Sequence, residues 1–404
     1  MDEQKLVPKL RFPGFTDPWE QRKLGEMGST YSGMSGKTKE DFGHGEAVYI
    51  PYLNIFQNTL SNLSMTDKVE IDDTQNKVEY GDILFTTSSE TPEEVGLSSV
   101  WLGNQENLYL NSFCFGYRLK EIIDLYFLGY ALRSPYMRNQ MKILAQGISR
   151  YNISKNKVMD LQINIPCIKE QKYIGEIFLR IDSLITLHQR KLEHLKLKKK
   201  SLLQKLFPRE GELYPELRFP GFTDPWEQRK LGEVFDERNE KGEQGELLSV
   251  TIGAGVVRTE DLERAVNTSD DRYNYKVVKK GDLIYNTMRM WQGACGSSLY
   301  TGIVSPAYTV LVPLAGNSSK FFAHYFKRKD LLYLFKRYSQ GLTSDTWNLK
   351  FNVLKEIKIC VPLIEEQYKI ADFLEAYDSN LTLHQRKLEH LQLLKKALLQ
   401  QLFV

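Results

Sequence analysis

Cysteine is scarce in this 404-residue chain. The four present, Cys114, Cys167, Cys295 and Cys360, stand far apart and form no C-x-x-C pair. That pattern argues against a disulfide framework and against a cysteine zinc site, and fits a reducing compartment. Charge of one sign is also in short supply: 54 Lys and Arg against 51 Asp and Glu leave a formal net charge of +3. A nucleic-acid surface would therefore have to be built from local patches. No apolar run approaches the roughly 18 residues that span a bilayer. The opening MDEQKLVPKLRFPGF lacks the cationic-then-apolar order of a secretory leader. The expectation is a soluble, cytoplasmic protein with no membrane partner.

Catalytic signatures are missing as well. Gly33-Met34-Ser35-Gly36-Lys37-Thr38 imitates a phosphate-binding loop, but Tyr31 stands where that motif needs its first glycine. Ile252-Gly253-Ala254-Gly255 is a lone glycine turn. There is no Gly-x-Ser-x-Gly elbow and no Asn-Pro-Pro-aromatic tetrapeptide of the kind an adenine methyltransferase places at its target amine. No Asp or Glu is marked by spacing as an acid–base pair. The sequence reads as non-catalytic, with no metal and no cofactor of its own.

What the chain does have is a long internal repeat. LRFPGFTDPWEQRKLGE runs from Leu10 to Glu26 and recurs identically from Leu217 to Glu233, while TLHQRKLEHL runs from Thr186 to Leu195 and recurs from Thr382 to Leu391. Between these ends the match is fainter. Gly81-Asp82-Ile83-Leu84-Phe85 answers to Gly281-Asp282-Leu283-Ile284-Tyr285, and Gln146-Gly147 to Gln340-Gly341. Leu161, Ile163 and Ile165 alternate before Pro166 as Ile357, Ile359 and Val361 do before Pro362, the pattern of a strand stopped by proline. A period near 200 residues is far too long for a solenoid. Plain duplication accounts for the shared ends; a constant frame carrying two readers that must differ also accounts for the dissimilar middles.

After each proline the pattern turns helical. One seam runs Ile181, Ile185, His188, Leu192, Leu195, Lys199, Leu202, Leu206; the other runs Tyr377, Leu381, His384, Leu388, Leu391, Lys395, Leu398, Leu402. Steps of four and three are coiled-coil spacing, and antiparallel pairing of the two helices is expected. The seam histidines and lysines either fix register or snorkel at the seam edge. The expected fold is α+β: two mixed α/β domains (residues 1–169 and 215–365), each followed by a long helix (170–214 and 366–404), related by a pseudo-twofold repeat.

The divergent loops carry hydrogen-bonding and aromatic side chains suited to base edges. Thr86, Thr87, Ser88, Ser89, Glu90 and Thr91 follow the first glycine–aspartate strand. Asn286, Thr287, Arg289, Met290, Trp291 and Gln292 follow the second. The glycine turns add Gly147, Ser149, Arg150 and Tyr151 in one half, and Gly341, Thr343, Ser344 and Asp345 in the other. Arg150, Lys155 and Lys157 are placed to meet phosphate. Arg289 has three readings: a bidentate contact to guanine, a phosphate contact, or stacking on Trp291.

Taken together, the PxLRFPGF–W–LG box, the GDIL[FY] strand, the QG[IL][ST] turn, the I/V-P–EQ junction and the LHQRKLEHL–LLQ–LF helix resemble the specificity subunits of type I restriction–modification systems. Each feature occurs twice, and together they cover nearly the whole chain. The resemblance implies two target-recognition domains, each reading half of a bipartite double-stranded DNA site, with the paired helices setting the unread spacer. It also implies two adenine methyltransferase subunits and restriction translocase subunits as partners. Those partners would carry S-adenosylmethionine, ATP and magnesium, so that this chain directs methylation and restriction without performing either.

Overall fold

A computed structural model describes residues 6–262, 272–344 and 346–404. The chain forms two compact units: Met1–Gln189 together with Arg386–Val404, and Arg190–Gln385. Each is a mixed α/β body. No helix among the described residues is long and apolar enough to cross a membrane.

The first unit is centred on a four-stranded antiparallel sheet in the spatial order Gly28–Ser32, Cys114–Leu119, Ile83–Thr86, Ser98–Val100. The second repeats the arrangement with Phe235–Glu237, Tyr308–Pro313, Leu283–Asn286, Cys295–Ser297. In each, the glycine–aspartate strand is central and fully apolar toward the core, with Ile83, Phe85, Leu283 and Tyr285 completely buried. Beside this shared sheet the units part company. A three-stranded sheet (Asp67–Val69, Phe42–Ile50, Leu108–Leu110) stands in the first. Two strand pairs, Leu248–Thr251 with Gly255–Arg258 and Lys276–Val278 with Gly302–Val304, stand in the second.

The identical sequence blocks make identical joints. Glu20–Lys23 pairs antiparallel with Gln162–Ile165, and Glu227–Lys230 with Lys358–Val361, so the alternating strands before the prolines close each unit onto its opening box. Arg11 donates two hydrogen bonds of 2.8 Å to buried Glu170, as Arg218 does to buried Glu366. Gln171 accepts the Asp124 N–H and donates to the Pro166 carbonyl; Gln367 treats Ser318 and Pro362 the same way. Thus the Glu-Gln pair after each proline has one residue gripping the opening box and one capping the helix at Asp124 or Ser318.

Two 38-residue helices follow, Ile168–Lys205 and Ile364–Gln401. Burial follows the expected seams, with Ile181, Leu192, Leu195 and Leu206 buried on one helix and Leu388, Leu398 and Leu402 on the other. In the first unit Phe178 stacks on Phe403 and Asp182 meets Lys395, so the two helical segments run antiparallel. In the second, Lys199 meets Asp378 while Leu206 packs into the core that holds Ile370 and Leu374, again antiparallel. Both seam lysines are therefore ion-paired across the seam, which favours the register reading over simple snorkelling. His188 and His384 are half-buried and also engaged.

One joint is invisible in the sequence. Leu402 and Phe403 sit in the core of the first unit against Trp19, whereas Leu206 and Phe207 sit in the core of the second against Trp226. Backbone bonds repeat the exchange: Leu10 N–H to the Gln401 carbonyl at 3.0 Å, Leu217 N–H to the Lys205 carbonyl at 2.8 Å. The Leu-Phe pair of each helix thus completes the unit that did not begin that helix.

Beneath this joint the first unit has Tyr130, whose hydroxyl donates to Asp182 at 2.7 Å. The second has buried His324, with Nδ1 3.9 Å from Asp378. Burial first, then the positive charges of Lys199, Lys327 and Lys320, push the His324 imidazole down to about 4, with Asp378 opposing. An unfolded histidine takes up its proton near its ordinary pKa of about 6.5, while the folded one refuses it. The stability this supplies is therefore fully present above the unfolded value and is lost as pH falls toward the folded one. His324→Tyr, which installs the residue of the first unit, should remove this acid-dependent step. Thermal unfolding at pH 7.5 and 5.0 checks it; an unchanged pH dependence would refute the assignment to His324.

Candidate nucleic-acid interface

Each interface starts at the glycine–aspartate turn. Asp82 accepts the Glu79 N–H at 2.8 Å, and Asp282 accepts the Lys279 N–H at 2.7 Å, closing the turn that launches the central strand. The buried carboxylates are then neutralised from different directions. Asp82 is held by Arg118 (2.9 and 2.7 Å) and the Tyr31 hydroxyl (2.7 Å); Asp282 is held by Arg238 (2.8 and 3.0 Å). These aspartates are structural anchors. Burial, followed by the Asp82 charge, raises the Tyr31 phenol well above its usual range, so it stays a neutral donor.

The far end of each strand delivers the divergent loop, and there the two halves agree again. The backbone N–H and hydroxyl of Thr87 both donate to the Phe113 carbonyl (3.0 and 2.7 Å), as those of Thr287 do to Ala307 (3.1 and 2.9 Å). The Thr87 carbonyl accepts from Ile153 and the Thr287 carbonyl from Leu349, both at 2.9 Å. Gln146 and Asn152 exchange backbone bonds at the base of one glycine turn, and Gln340 and Asn348 do so at the other. In each unit the structure therefore brings together two segments far apart in sequence, the loop after the central strand and the glycine turn. In the first unit the strands Ser88–Ser89 and Tyr151–Asn152 pair directly.

Glycine is required at the turn. Gly147 has φ +140° and Gly341 φ +145°; an added Cβ would lie 2.0 Å from the Arg150 carbonyl oxygen or 2.6 Å from that of Thr346. The residue each glycine presents is apolar and almost wholly solvent-exposed, Ile148 at 97% and Leu342 at 101%.

The expected contact residues divide by burial. Glu90, Thr91, Gly147, Ser149 and Arg150 are exposed, Tyr151 is half-buried, and Lys155 is half-buried with Nζ 2.9 Å from the Ser32 hydroxyl. Thr91 donates to Glu94 at 2.9 Å. In the second unit Gly341, Thr343, Ser344 and Arg289 are exposed, with Asn286, Thr287, Trp291 and Gln292 half-buried. Asp345 lies outside the described residues. Four expectations are corrected: Thr86, Ser88, Ser89 and Met290 are buried, Thr86 and Met290 completely. The central strand runs one residue beyond the glycine–aspartate pattern, and Met290 turns into the core through the short helical turn Met290–Gln292. Thr86 and Met290 have no exposed surface with which to touch a duplex, and Ser88 and Ser89 keep only 4% and 5% of theirs. The imitation phosphate loop is also accounted for, because Lys37 is paired with Asp72 at 2.9 Å.

Arg289 is better defined. Trp291 packs edge-on against Trp347, with ring centroids 5.4 Å apart, and the cation over that pair is Lys336, 5.2 Å from the Trp347 centroid. Stacking of Arg289 on Trp291 is thereby replaced by a tryptophan pair. Arg289 instead lines a cleft of about 480 Å³ with Asn286, Gln292, Thr251, Ile252 and Tyr308. Neither Arg289 nor Gln292 has a side-chain hydrogen-bond partner among the described residues. Sequence reading missed Thr251, Ile252 and Tyr308; the Ile252-Gly253-Ala254-Gly255 turn was their only signal. A guanidinium and two amides in one cleft suit purine edges. Arg289→Ala should cost ~1–3 kcal/mol and relax one position of the recognised sequence, read by binding to a panel of single-base variants. Uniform weakening with a shallower salt slope would make it a phosphate contact instead.

No group of three or more His, Cys, Asp or Glu side chains among the described residues could hold a metal ion. What the two clusters offer is hydrogen-bond donors and acceptors, cations and apolar tips on glycine turns.

Comparison with known proteins agrees with this geometry. The family model described as "Type I restriction modification DNA specificity domain" matches residues 16–197 and again 223–393. The chain belongs to that family, and its two matches are the two halves of the repeat. It is 24% identical over 421 residues to the type I restriction enzyme MjaVIII specificity subunit of Methanocaldococcus jannaschii, covering 98% of this chain and 93% of that protein. It is 23% identical over 411 residues to the putative MjaX specificity subunit of the same organism, covering 98% and 95%. Among solved structures, the type I restriction–modification S subunit from M. genitalium has a TM-score of 0.62 at 18% identity, covering 98% of this chain and 99% of that one. A chain from a study of complex assembly and conformational transition in the type I system has a TM-score of 0.51 at 17% identity, covering 97% and 98%. The fold is thus that of the S subunits.

Proposed function

We propose that this chain is the non-catalytic DNA-reading subunit of a type I restriction–modification complex, and that each unit reads one half of a bipartite double-stranded site. The observation that carries this reading is the matched pair of loop clusters. On frames that share their main joints, each unit holds a divergent loop and a glycine turn side by side, with different polar side chains in each. In this reading residues 1–169 and 215–365 are the readers, and the helices of 170–214 and 366–404 set the unread spacer. Ile148 and Leu342 suit thymine methyl groups, and Arg150 and Arg289 suit guanine or phosphate. Two adenine methyltransferase subunits and the restriction translocase subunits act where this chain places them, in the cytoplasm. They carry S-adenosylmethionine, ATP and magnesium.

The test is binding by the chain assembled with a compatible methyltransferase. The assembly should prefer one duplex sequence over scrambled DNA, with affinity falling steeply as salt rises. The isolated chain should show no S-adenosylmethionine binding in a calorimetric titration. Absence of any sequence preference in the assembly, or cofactor binding by the chain alone, would overturn the reading.

A further inference from the structure

The second unit contains a cationic cavity. It has a volume of about 750 Å³ and is lined by eight Lys and Arg side chains against two carboxylates, Glu216 and Asp330. Four of the cations are committed: Lys199 to Asp378, Lys205 and Arg209 to Glu216, and Arg328 to Asp330. Lys196, Lys200, Lys327 and Lys329 have no ion-pair partner among the described residues, and all but half-buried Lys327 are exposed. The positive field is felt inside the protein, where Lys199 and Lys327 help to depress the His324 imidazole.

The repeat supplies an internal control. Where the cavity has Lys196 and Lys205, the equivalent stretch in the first unit has Gln392 and Gln401, while Lys199 and Lys200 recur as Lys395 and Lys396. Part of the charge, Lys196 and Lys205, is thus an addition to a shared scaffold, and the fold does not demand it.

The cavity is also connected to the reading loop. Its lining includes Lys329, the first residue of the helix Lys329–Tyr338, whose last residue leads into Ser339 and the Gln340–Gly341 turn. Ten residues span about 15 Å. Along that helix Lys329, Tyr333, Lys336 and Arg337 are all exposed, at spacings that put them on one face. Lys336 then lies over Trp347 of the reading loop. The matching helix of the first unit, Pro135–Leu144, has no such track: Arg138 turns inward to the carbonyls of Glu93, Val95 and Gly96, and Lys142 is paired with Glu93.

We propose that this cavity and the exposed face of Lys329–Tyr338 form a phosphate track that grips the DNA backbone outside the bases read by the second unit. Spaced cations joined to a reading loop match a chain of phosphodiesters, which positions a duplex without reading it. The inference rests on the DNA-reading function and adds an asymmetry: the second unit contributes the larger sequence-independent share of binding.

The experiment uses the assembly with a compatible methyltransferase and compares wild type with the triple variant Lys196→Gln, Lys200→Gln, Lys329→Gln. Loss of three phosphate contacts should make the slope of log affinity against log salt shallower by about 2–3, so that raising salt from 50 to 200 mM weakens binding about 40-fold less than in wild type. The ratio of cognate to scrambled affinity should stay the same, and Lys396→Gln in the first unit should leave the slope unaltered. An unchanged slope in a correctly assembled triple variant overturns the track. If assembly with the methyltransferase weakens instead, the cavity receives an acidic protein segment. If wild type but not the variant binds tripolyphosphate while DNA binding is equal, it serves a free phosphorylated ligand. Either result also overturns the proposal. Failure of wild type itself to prefer any duplex would instead refute the DNA-reading function, which separates the two claims.

Discussion

Phe207→Ala is expected to cost the second unit about 3–5 kcal/mol, the range for truncating a buried aromatic side chain. The ring is 1% exposed and its centroid lies 4.8 Å from Tyr325, 5.5 Å from Phe321 and 6.0 Å from Trp226, with the Arg328 guanidinium 5.4 Å away. Phe403→Ala should damage the first unit in the same way through Phe127, Phe178 and Trp19. The informative feature is which unit suffers. Phe207 follows directly on the helix that begins in the first unit, yet hydrogen exchange should quicken in Leu283–Asn286 and stay slow in Ile83–Thr86. Loss of protection in Ile83–Thr86 alone would contradict the exchanged closure.

The second large effect concerns specificity. Exchanging residues 28–160 for the middle of another family member should replace one half of the recognised sequence entirely and leave the other half intact. The physical reason is containment. The sheet strands of the first unit between Gly28 and Asn152 pair among themselves, and the frame closes around them through Glu20–Lys23 and Gln162–Ile165. A change in both halves, or in neither, would mean that the units do not read independently.

Much of this architecture was legible in the residues. Repetition of LRFPGF–W–EQRK and of LHQRKLEHL marked the frame because identical joints need identical residues: Arg11 with Glu170 and Arg218 with Glu366 are the same bidentate pair. The seams were readable because burial in a helix pair has a fixed period, and Leu192, Leu195 and Leu206 fall on it. Which domain each Leu-Phe pair completes was not readable, since a periodic seam specifies a partner helix but no partner core. Divergence was also an ambiguous guide to the interface. Met290 and Arg289 are neighbours in the same variable loop, yet one fills the core and the other lines a cleft. Variation serves repacking as readily as reading. Tyr308 and Thr251 entered the cleft from strands distant in sequence, and only the folded chain brings them beside Arg289.

The most direct test of the central claim is to map methylated adenines in the DNA of cells carrying this chain with a compatible methyltransferase. The account predicts that every methylated adenine dependent on the chain falls within one bipartite motif, two fixed short sequences separated by a constant unread gap. It also predicts that Arg289→Ala relaxes one position in only one of the two. A contiguous motif, or methylation that does not depend on the chain, would contradict it.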